Sequence, residues 1–200
     1  MMNILYVLGN TLYINMTNKC PCSCTFCIRK EGDGVRGSGS LWLDRDPAVE
    51  EVKAALAEKD LDSYDEIVFC GYGEPLVRIN EVAEVGRYIK SVSKAKVRIN
   101  TTGLSDLIHN KEHSVQILKG AIDSISISLN APTAKEYNEV TRPKWGEKSF
   151  EVMLKFAKEA KTVVNEVMFS VVDVIGEDKI KRSQEIADEL GVKLRVREME

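Results

Sequence analysis

The sequence lacks long apolar runs and any excess of positive charge. No stretch approaches the roughly 18 consecutive apolar residues that a membrane-spanning helix needs. The opening segment, MMNILYVLGN, contains neither a charged leader nor a small-residue cleavage site. Asp and Glu outnumber Lys and Arg by 31 to 28, so the net charge is -3. We therefore expect a soluble cytoplasmic protein with no membrane partner, and strong binding to nucleic acid is not expected.

Cysteine is scarce outside one short segment. Four of the 5 cysteines lie in CPCSCTFC, residues 20–27, and no second cluster follows it. An odd count with such crowding argues against a disulfide framework, because neighbours this close rarely reach the geometry of a bridge. In a reducing compartment, this spacing is typical of metal or redox chemistry.

Short apolar segments alternate with helical segments along the chain. The expected strands are six in number, and they cover residues 11–16, 65–70, 95–100, 123–130, 165–174 and 192–199. Because helices of ten or more residues separate them, the strands should pair in parallel through right-handed crossovers. The pattern predicts an α/β fold with a sheet covered by helices.

The unusual residues favour a partial barrel over a doubly wound sheet. Glycine or polar clusters (CPCSCTFC, GYGEP, NTTG, SLNAP and VIGED) follow five consecutive predicted strands. A barrel gathers all its strand ends around one mouth, whereas an open sheet binds ligands mainly at its switch point. We predict a partial (β/α)6 TIM-like barrel, open on one side, as one domain over 1–200 with a cluster loop at about 18–40.

The spacing of three cysteines indicates an iron–sulfur cluster. Cys20, Cys24 and Cys27 follow the pattern C-x3-C-x2-C, which can bind three corners of a [4Fe-4S] cubane and leave the fourth iron without a protein ligand. A structural zinc site would need a fourth ligand, and only Cys22 and the distant Cys70 remain. We expect Cys22 to point away from the cluster and Cys70 to be a small buried residue.

Three segments together resemble the radical S-adenosylmethionine (radical SAM) superfamily. They are CPCSCTFC after the first predicted strand, GYGEP after the second and SLN after the fourth. The segments CIRK and LWLDRDPAVEEV resemble the small radical SAM proteins named for their association with TatD-type nucleases. The resemblance implies a [4Fe-4S] cluster and S-adenosylmethionine (SAM) as cofactors, and reductive SAM cleavage to a radical that abstracts a substrate hydrogen.

The resemblance also implies contacts with SAM. Phe26 matches an aromatic residue near the adenine, and Tyr72, Gly73 and Glu74 match the motif that receives the ammonium group. In NTTG, Asn100 and Thr102 match a polar strand end, with threonine where asparagine is frequent.

Polar residues of the later strands complete the predicted site. Ser126, Ser128 and Asn130 share one strand face and could bind the ribose, or they could bond to neighbouring strands or water. Arg142 could pair with the SAM carboxylate or lie on the surface. Val174 matches a segment that contacts adenine through its backbone.

The predicted function is that of a radical SAM enzyme with an unknown substrate. The chain ends soon after the sixth predicted strand, so we expect a substrate that is a small metabolite or a protein segment. The resemblance further implies an electron donor such as flavodoxin or ferredoxin. The alternatives are a non-catalytic iron–sulfur protein for electron transfer or redox sensing, and a zinc-binding structural protein.

Overall fold

The computed structural model describes residues 2–30, 32–35 and 37–198. Within these residues the chain forms one sheet of seven strands. The strands are β1 (Leu5–Leu8), β2 (Thr11–Ile14), β3 (Glu66–Phe69), β4 (Lys96–Thr101), β5 (Ser124–Ser128), β6 (Glu166–Val172) and β7 (Lys193–Arg197).

Strand order in the sheet follows strand order in the chain, from β1 to β7. Neighbouring strands from β2 to β7 all pair in parallel. A doubly wound sheet would reverse its order at a switch point, and this sheet has no reversal. The order therefore confirms the predicted partial barrel of six parallel strands.

The strand count differs from the sequence prediction because of β1. Leu5–Leu8 pairs antiparallel with β2 through a short turn at Gly9, whose φ is +60°. The ring of Tyr6 on β1 stacks on that of Tyr13 on β2, with 4.9 Å between the ring centroids. The hairpin was missed because four residues of mixed burial carry too short a periodic pattern to read from the sequence.

Helices cover one face of the sheet. They are α1 (Val49–Ala57), α2 (Ile79–Val92), α3 (Ser105–His109), α4 (Ala134–Thr141), α5 (Lys148–Ala160) and α6 (Glu177–Leu190). Each longer helix buries an apolar stripe: on α2, for example, Ile79, Val82 and Ile89 are at most 1% exposed. None of the helices in the described part of the chain is both long and apolar enough to cross a membrane.

The two faces of the sheet have opposite chemistry. On β5, Ile125 and Ile127 join the apolar core under the helices, whereas Ser126 and Ser128 line a cavity on the other face. Successive side chains of a strand point to opposite faces, so the sequence SISIS encodes both surfaces at once. The inward face is therefore polar, and this is the face that the functional site uses.

Core packing of β6 gives a test of the fold. Phe169 is fully buried between the sheet and the helices. We expect Phe169→Ala to lower the free energy of unfolding by roughly 3–5 kcal/mol, because the large ring leaves a cavity. Val92→Ala, at a position that is 53% exposed, is the control and should change stability by less than about 0.5 kcal/mol. Urea unfolding of both variants checks this, and equal effects would contradict the described core.

Candidate active site

A cavity of about 660 Å³ lies at the carboxyl ends of the strands. Its wall contains residues that follow or belong to β2 through β7, as expected for a barrel mouth. Most of the predicted site residues line it: Cys20, Cys24, Phe26, Cys27, Tyr72, Gly73, Glu74, Asn100, Thr102, Ser126, Ser128 and Asn130. Folding thus brings together groups that lie more than a hundred residues apart in the sequence.

The cysteine loop is held by the backbone of the segment 140–144, which comprises the last two residues of α4 and the three residues after it. The N–H of Thr25 donates to the carbonyl of Val140 (2.8 Å), and the N–H of Ser23 donates to that of Thr141 (3.0 Å). The N–H of Lys144 donates in return to the carbonyl of Pro21 (2.9 Å). These bonds fix the loop without using the cysteine side chains, which remain available as ligands.

The three predicted ligands share a partly buried environment. Burial raises the pKa of Cys24 to about 12, with further increases from Cys20 and Cys27. The guanidinium of Arg29 donates from Nε to Sγ of Cys27 (3.3 Å). Three neighbouring thiols cannot all ionise here without a compensating positive charge, and an iron–sulfur cluster supplies that charge through its irons. The donor set therefore fits a cluster.

The geometry does not describe a site for one ion. Among the described residues, no three His, Cys, Asp or Glu side chains converge on the position of a single metal ion. A [4Fe-4S] cube presents a separate iron to each thiolate, so its ligands need not converge on one point.

The other two cysteines have different surroundings. Cys22 is 4% exposed, belongs to the apolar core and does not line the cavity. The pKa of Cys22 is raised, mainly by a hydrogen bond with Cys20 and secondly by burial. The same hydrogen bond lowers the pKa of Cys20. Cys70 differs from expectation, because it is half-buried and lines the cavity.

The GYG segment packs directly against the loop that carries the cysteines. A Cβ on Gly73 would lie 2.2 Å from the carbonyl oxygen of Thr17 and 2.7 Å from that of Lys19. A Cβ on Gly71 would lie 2.0 Å from Oδ1 of Asn15. Both glycines are therefore required by close approach rather than by a left-handed backbone.

Tyr72 turns towards the segment that follows the cysteines. Its hydroxyl donates to the carbonyl of Gly32 (2.7 Å), and its ring meets Trp42 edge-on at 5.0 Å. Val35 and Leu41 are buried in the same small apolar cluster. The glycine-rich segment is therefore packed against the site in its described residues, rather than projecting from it as a free loop.

Glu74 is 3% exposed and held by three donors. Its carboxylate accepts from the N–H of Leu76 (2.9 Å), the hydroxyl of Thr101 (2.7 Å) and the N–H of Thr102 (2.6 Å). Burial raises the pKa of Glu74, and the hydrogen bonds only partly oppose this. A fixed and poorly solvated carboxylate in a cavity wall favours a cationic ligand.

The polar row of β5 ends at an unsatisfied amide. Asn130 is 4% exposed, lines the cavity and adopts a φ of +57°. Within the described residues its Oδ1 has no hydrogen-bond partner. Buried polar atoms are normally paired, so an unsatisfied acceptor on a residue of the cavity wall fits a ligand that donates a hydrogen bond. A ribose hydroxyl is such a donor.

Two predicted contacts fall outside the cavity wall. Arg142 is exposed at the left-handed end of α4, and its carbonyl accepts from the N–H of Ser23 at 3.2 Å. Val174 is 54% exposed in a short 3-10 helix after β6. Neither lines the cavity. Of the two alternatives for Arg142, the exposed side chain is consistent with a surface position, and its carbonyl contacts the cysteine loop.

The model of the radical SAM superfamily matches residues 14–188. This chain belongs to the radical SAM superfamily. Members of the superfamily use a [4Fe-4S] cluster and SAM, and the cysteine-rich loop near the amino terminus fits that usage.

Curated relatives within the radical SAM superfamily are larger proteins. The dual-specificity RNA methyltransferase RlmN of Halorhodospira halophila is 29% identical over 135 residues, which cover 65% of this chain and 34% of that protein. The GTP 3',8-cyclase of Peptoclostridium acidaminophilum is 29% identical over 154 residues, which cover 77% of this chain and 43% of that protein. The match thus spans less than half the length of either relative.

Solved structures of radical SAM proteins share the fold. A radical SAM methyltransferase from Sphaerobacter thermophilus aligns with a TM-score of 0.64 and 13% identity, covering 97% of this chain and 68% of that one. The FeFe-hydrogenase maturase HydG from Carboxydothermus hydrogenoformans aligns with a TM-score of 0.67 and 18% identity, covering 95% and 44%. Such low identities establish a common architecture only.

Several cavity residues were missed by the sequence analysis. Arg98 on β4 is 5% exposed, pairs with Glu66 (3.0 Å) and donates to Oδ1 of Asn100. Ser170 of β6 and Arg195 of β7 also line the wall. The period of two along KVRIN and KLRVR could have placed both arginines on the inward face. No motif of the sequence includes either arginine to indicate that it lines a site.

The close approach of Gly73 generates a first test of this radical SAM site. In Gly73→Ala the new Cβ would collide with backbone carbonyls, so the cysteine loop must shift. We expect the free energy of unfolding to fall by about 1–3 kcal/mol and most of the bound iron to be lost. Gly32→Ala is the matched control, because a Cβ there meets nothing within 4 Å. Iron analysis after anaerobic reconstitution decides, and full iron content in Gly73→Ala would contradict the packing.

The buried carboxyl of Glu74 generates a test by pH. Because its pKa is raised above 4.5 in the folded state, the folded protein binds more protons than the unfolded one between those two values. Wild type should therefore lose stability relative to Glu74→Gln as the pH rises through this window. The loss should be about 1.4 kcal/mol for each unit by which the pKa is raised.

Urea unfolding of both proteins without cofactor, from about pH 4 to about pH 7, measures this difference. Glu58→Gln removes an exposed carboxylate and provides the baseline. A gain of wild-type stability over Glu74→Gln with rising pH would mean that the hydrogen bonds outweigh burial.

Proposed function

We propose that this chain binds a [4Fe-4S] cluster and SAM in the described cavity and cleaves SAM reductively to abstract a hydrogen from a substrate. The observation that carries the proposal is the shared cavity, which joins three cysteines, a buried carboxylate and an unsatisfied amide. These are the groups that a cluster, an ammonium and a ribose would each require.

Cys20, Cys24 and Cys27 would bind three irons of the cluster. When bound and reduced, the cluster would supply the one electron needed for reductive cleavage of the carbon–sulfur bond of SAM, the chemistry by which a hydrogen would be taken from substrate. Arg29, which already donates to Sγ of Cys27, would stabilise negative charge on that thiolate. The backbone of the segment 140–144 would keep the loop in place around the cluster.

The remaining wall would hold SAM. Glu74, fixed by three donors, would accept from the ammonium group, and the backbone of Gly73 would lie beside it. Ser126, Ser128 and Asn130 would face the ribose, and Phe26 the adenine. Asn100 and Thr102 lie between these two parts of the wall and would complete its polar lining.

Cofactor reduction requires an external electron donor, and we propose flavodoxin or ferredoxin. Exposed cations surround the cysteine loop, including Lys30, Arg142 and Lys144. Lys30 donates from Nζ to the carbonyl of Cys24 (2.7 Å), so positive charge lies close to the cluster ligands. Such a surface complements an acidic protein. A reducing compartment, the cytoplasm, suits the unpaired thiols.

The substrate remains a small metabolite or a protein segment in this proposal. Two relatives act, by their names, on RNA and on GTP. Because the match covers less than half of either relative, their substrates do not transfer to this chain. Membership of the TatD-associated group stays a prediction from the sequence.

The test is SAM cleavage by anaerobically reconstituted protein. After reduction with dithionite, we expect 5'-deoxyadenosine and methionine in equal amounts, measured by mass spectrometry. We expect loss of the brown colour, which absorbs at about 400 nm, and loss of all SAM cleavage in each of the variants Cys20→Ala, Cys24→Ala and Cys27→Ala. Cys70→Ala is the matched control and should retain the iron of wild type.

Two results would overturn the proposal. A reduced cluster that never cleaves SAM would favour a non-catalytic electron-transfer or redox-sensing protein. A colourless protein that binds one zinc ion through the same cysteines would remove the cluster altogether.

A further inference from the structure

Two arginines of β7 line the cavity but have no part in the proposed cofactor contacts. Arg195 and Arg197 lie two residues apart, so their side chains share the inward face, with about 7 Å between their Cα atoms. In the sheet order β7 is at the end opposite β1. Both arginines therefore lie at the open side of the partial barrel, where Arg195 is close enough to Tyr13 on β2 to lower the pKa of its hydroxyl against the increase that burial causes.

The strand register places Arg195 beside hydroxyl groups. Arg195 is opposite Ser170 on β6, and Ser170 is opposite Ser128 on β5. All three line the cavity, and Ser170 is 3% exposed. Ser128, Ser170 and Arg195 thus form a row across three strands, from the predicted ribose contact at Ser128 to the guanidinium of Arg195. A molecule bound at Arg195 would lie next to the nucleoside part of SAM.

The charge of Arg195 is not neutralised by a partner in the described part of the chain. No ion pair or hydrogen bond joins Arg195 to a described residue, and Arg195 is exposed, so its charge costs little to keep there. By contrast, Arg98 pairs with Glu66 at 3.0 Å, and Lys193 pairs with Glu166 at 3.4 Å. Arg98 and Lys193 are thus each balanced by a carboxylate, and Arg195 differs from them.

Two carboxylates also line the cavity. Glu74 follows β3, four strands away from β7 in the sheet order, and is occupied by three hydrogen bonds. Glu198 directly follows β7 and is exposed. The cavity therefore has an acidic end near the cysteine loop and a predominantly basic end at β7. A ligand that spans both would carry its negative charge at the β7 end.

We infer that Ser170, Arg195 and Arg197 form a site for a phosphate group of the substrate, which would then be a phosphorylated small molecule. This rests on the proposed function, because the site gains its role from adjacency to SAM. Guanidinium groups donate two parallel hydrogen bonds to a tetrahedral anion, and a neighbouring hydroxyl donates another. Two arginines about 7 Å apart suit a diphosphate better than a single carboxylate.

The acidic balance of the whole chain favours a small ligand over a nucleic acid. The net charge is -3, and the unpaired arginine is in a concave wall rather than on an extended basic surface. Phosphate contacts with a polynucleotide usually involve several cations along a surface. The described geometry offers a local site for one or two phosphates.

The experiment is calorimetric titration of inorganic pyrophosphate into reconstituted, SAM-free protein under anaerobic conditions. Absorbance at about 400 nm verifies that the cluster is present. We expect binding by wild type and at least about tenfold weaker binding by Arg195→Gln, as for loss of a charged hydrogen-bonding pair. Arg195→Lys should bind pyrophosphate with intermediate affinity, because it keeps the positive charge but loses the paired N–H donors of the guanidinium. Arg182→Gln, on the outer helix α6, is the matched control and should bind like wild type.

Several outcomes would overturn the inference. If wild type does not bind pyrophosphate, or if Arg195→Gln binds it equally well, the phosphate site is wrong. Arg195 would then serve only to prevent pairing of the edge strand β7 with another chain. Equal or tighter binding of malonate, or of a single-stranded oligoribonucleotide, with the same dependence on Arg195 would replace the phosphorylated small molecule. A tenfold loss of SAM affinity in Arg195→Gln would assign the residue to the cofactor.

Failure of this inference is distinguishable from failure of the proposed function. SAM cleavage is measured in wild-type protein without added substrate, and pyrophosphate binding is measured without SAM. Cleavage without pyrophosphate binding removes only the phosphate site. Pyrophosphate binding that depends on Arg195, without cleavage, leaves an anion site and removes the radical reaction.

Discussion

The contact between the end of β3 and the cysteine loop is the constraint on which the site depends. Gly73 approaches the carbonyls of Thr17 and Lys19 too closely for any side chain, and the N–H of Glu74 donates to the carbonyl of Lys19 at 2.8 Å. This contact between Gly73–Glu74 and Thr17–Lys19 fixes the position of the loop that carries the cysteines. The same contact fixes the position of the buried carboxylate of Glu74, which lines the same cavity. Cluster ligands and cofactor contacts are therefore positioned together, by backbone packing.

The barrel turns a simple alternation of residues into two environments. Isoleucine and phenylalanine of the central strands are buried under the helices, while serine, asparagine and arginine of the same strands line the cavity. Because the strands follow one another in order, the polar rows join into one continuous wall. The wall changes from a carboxylate near the cysteine loop to arginines at β7, which gives the cavity a direction along which a ligand can be oriented.

Prediction from the sequence succeeded where a local pattern carries the physics. The six parallel strands came from alternating apolar segments, and the barrel arrangement with its mouth came from the polar clusters just after them. It was incomplete where contacts are distant in the chain. β1 was missed because the hairpin is short, and the contact between the carbonyl of Arg142 and the cysteine loop was not foreseen.

The sequence by itself determined the superfamily, the strand order and the residue types that could bind a cluster, because spacing and periodicity act within a few residues. Only the tertiary structure decided that the segment 140–144 holds the cysteine loop and that Cys22 is buried while Cys70 faces the cavity. It also decided that Arg195 is beside Ser170. These facts depend on strand register and on backbone hydrogen bonds between distant segments, which no local pattern encodes.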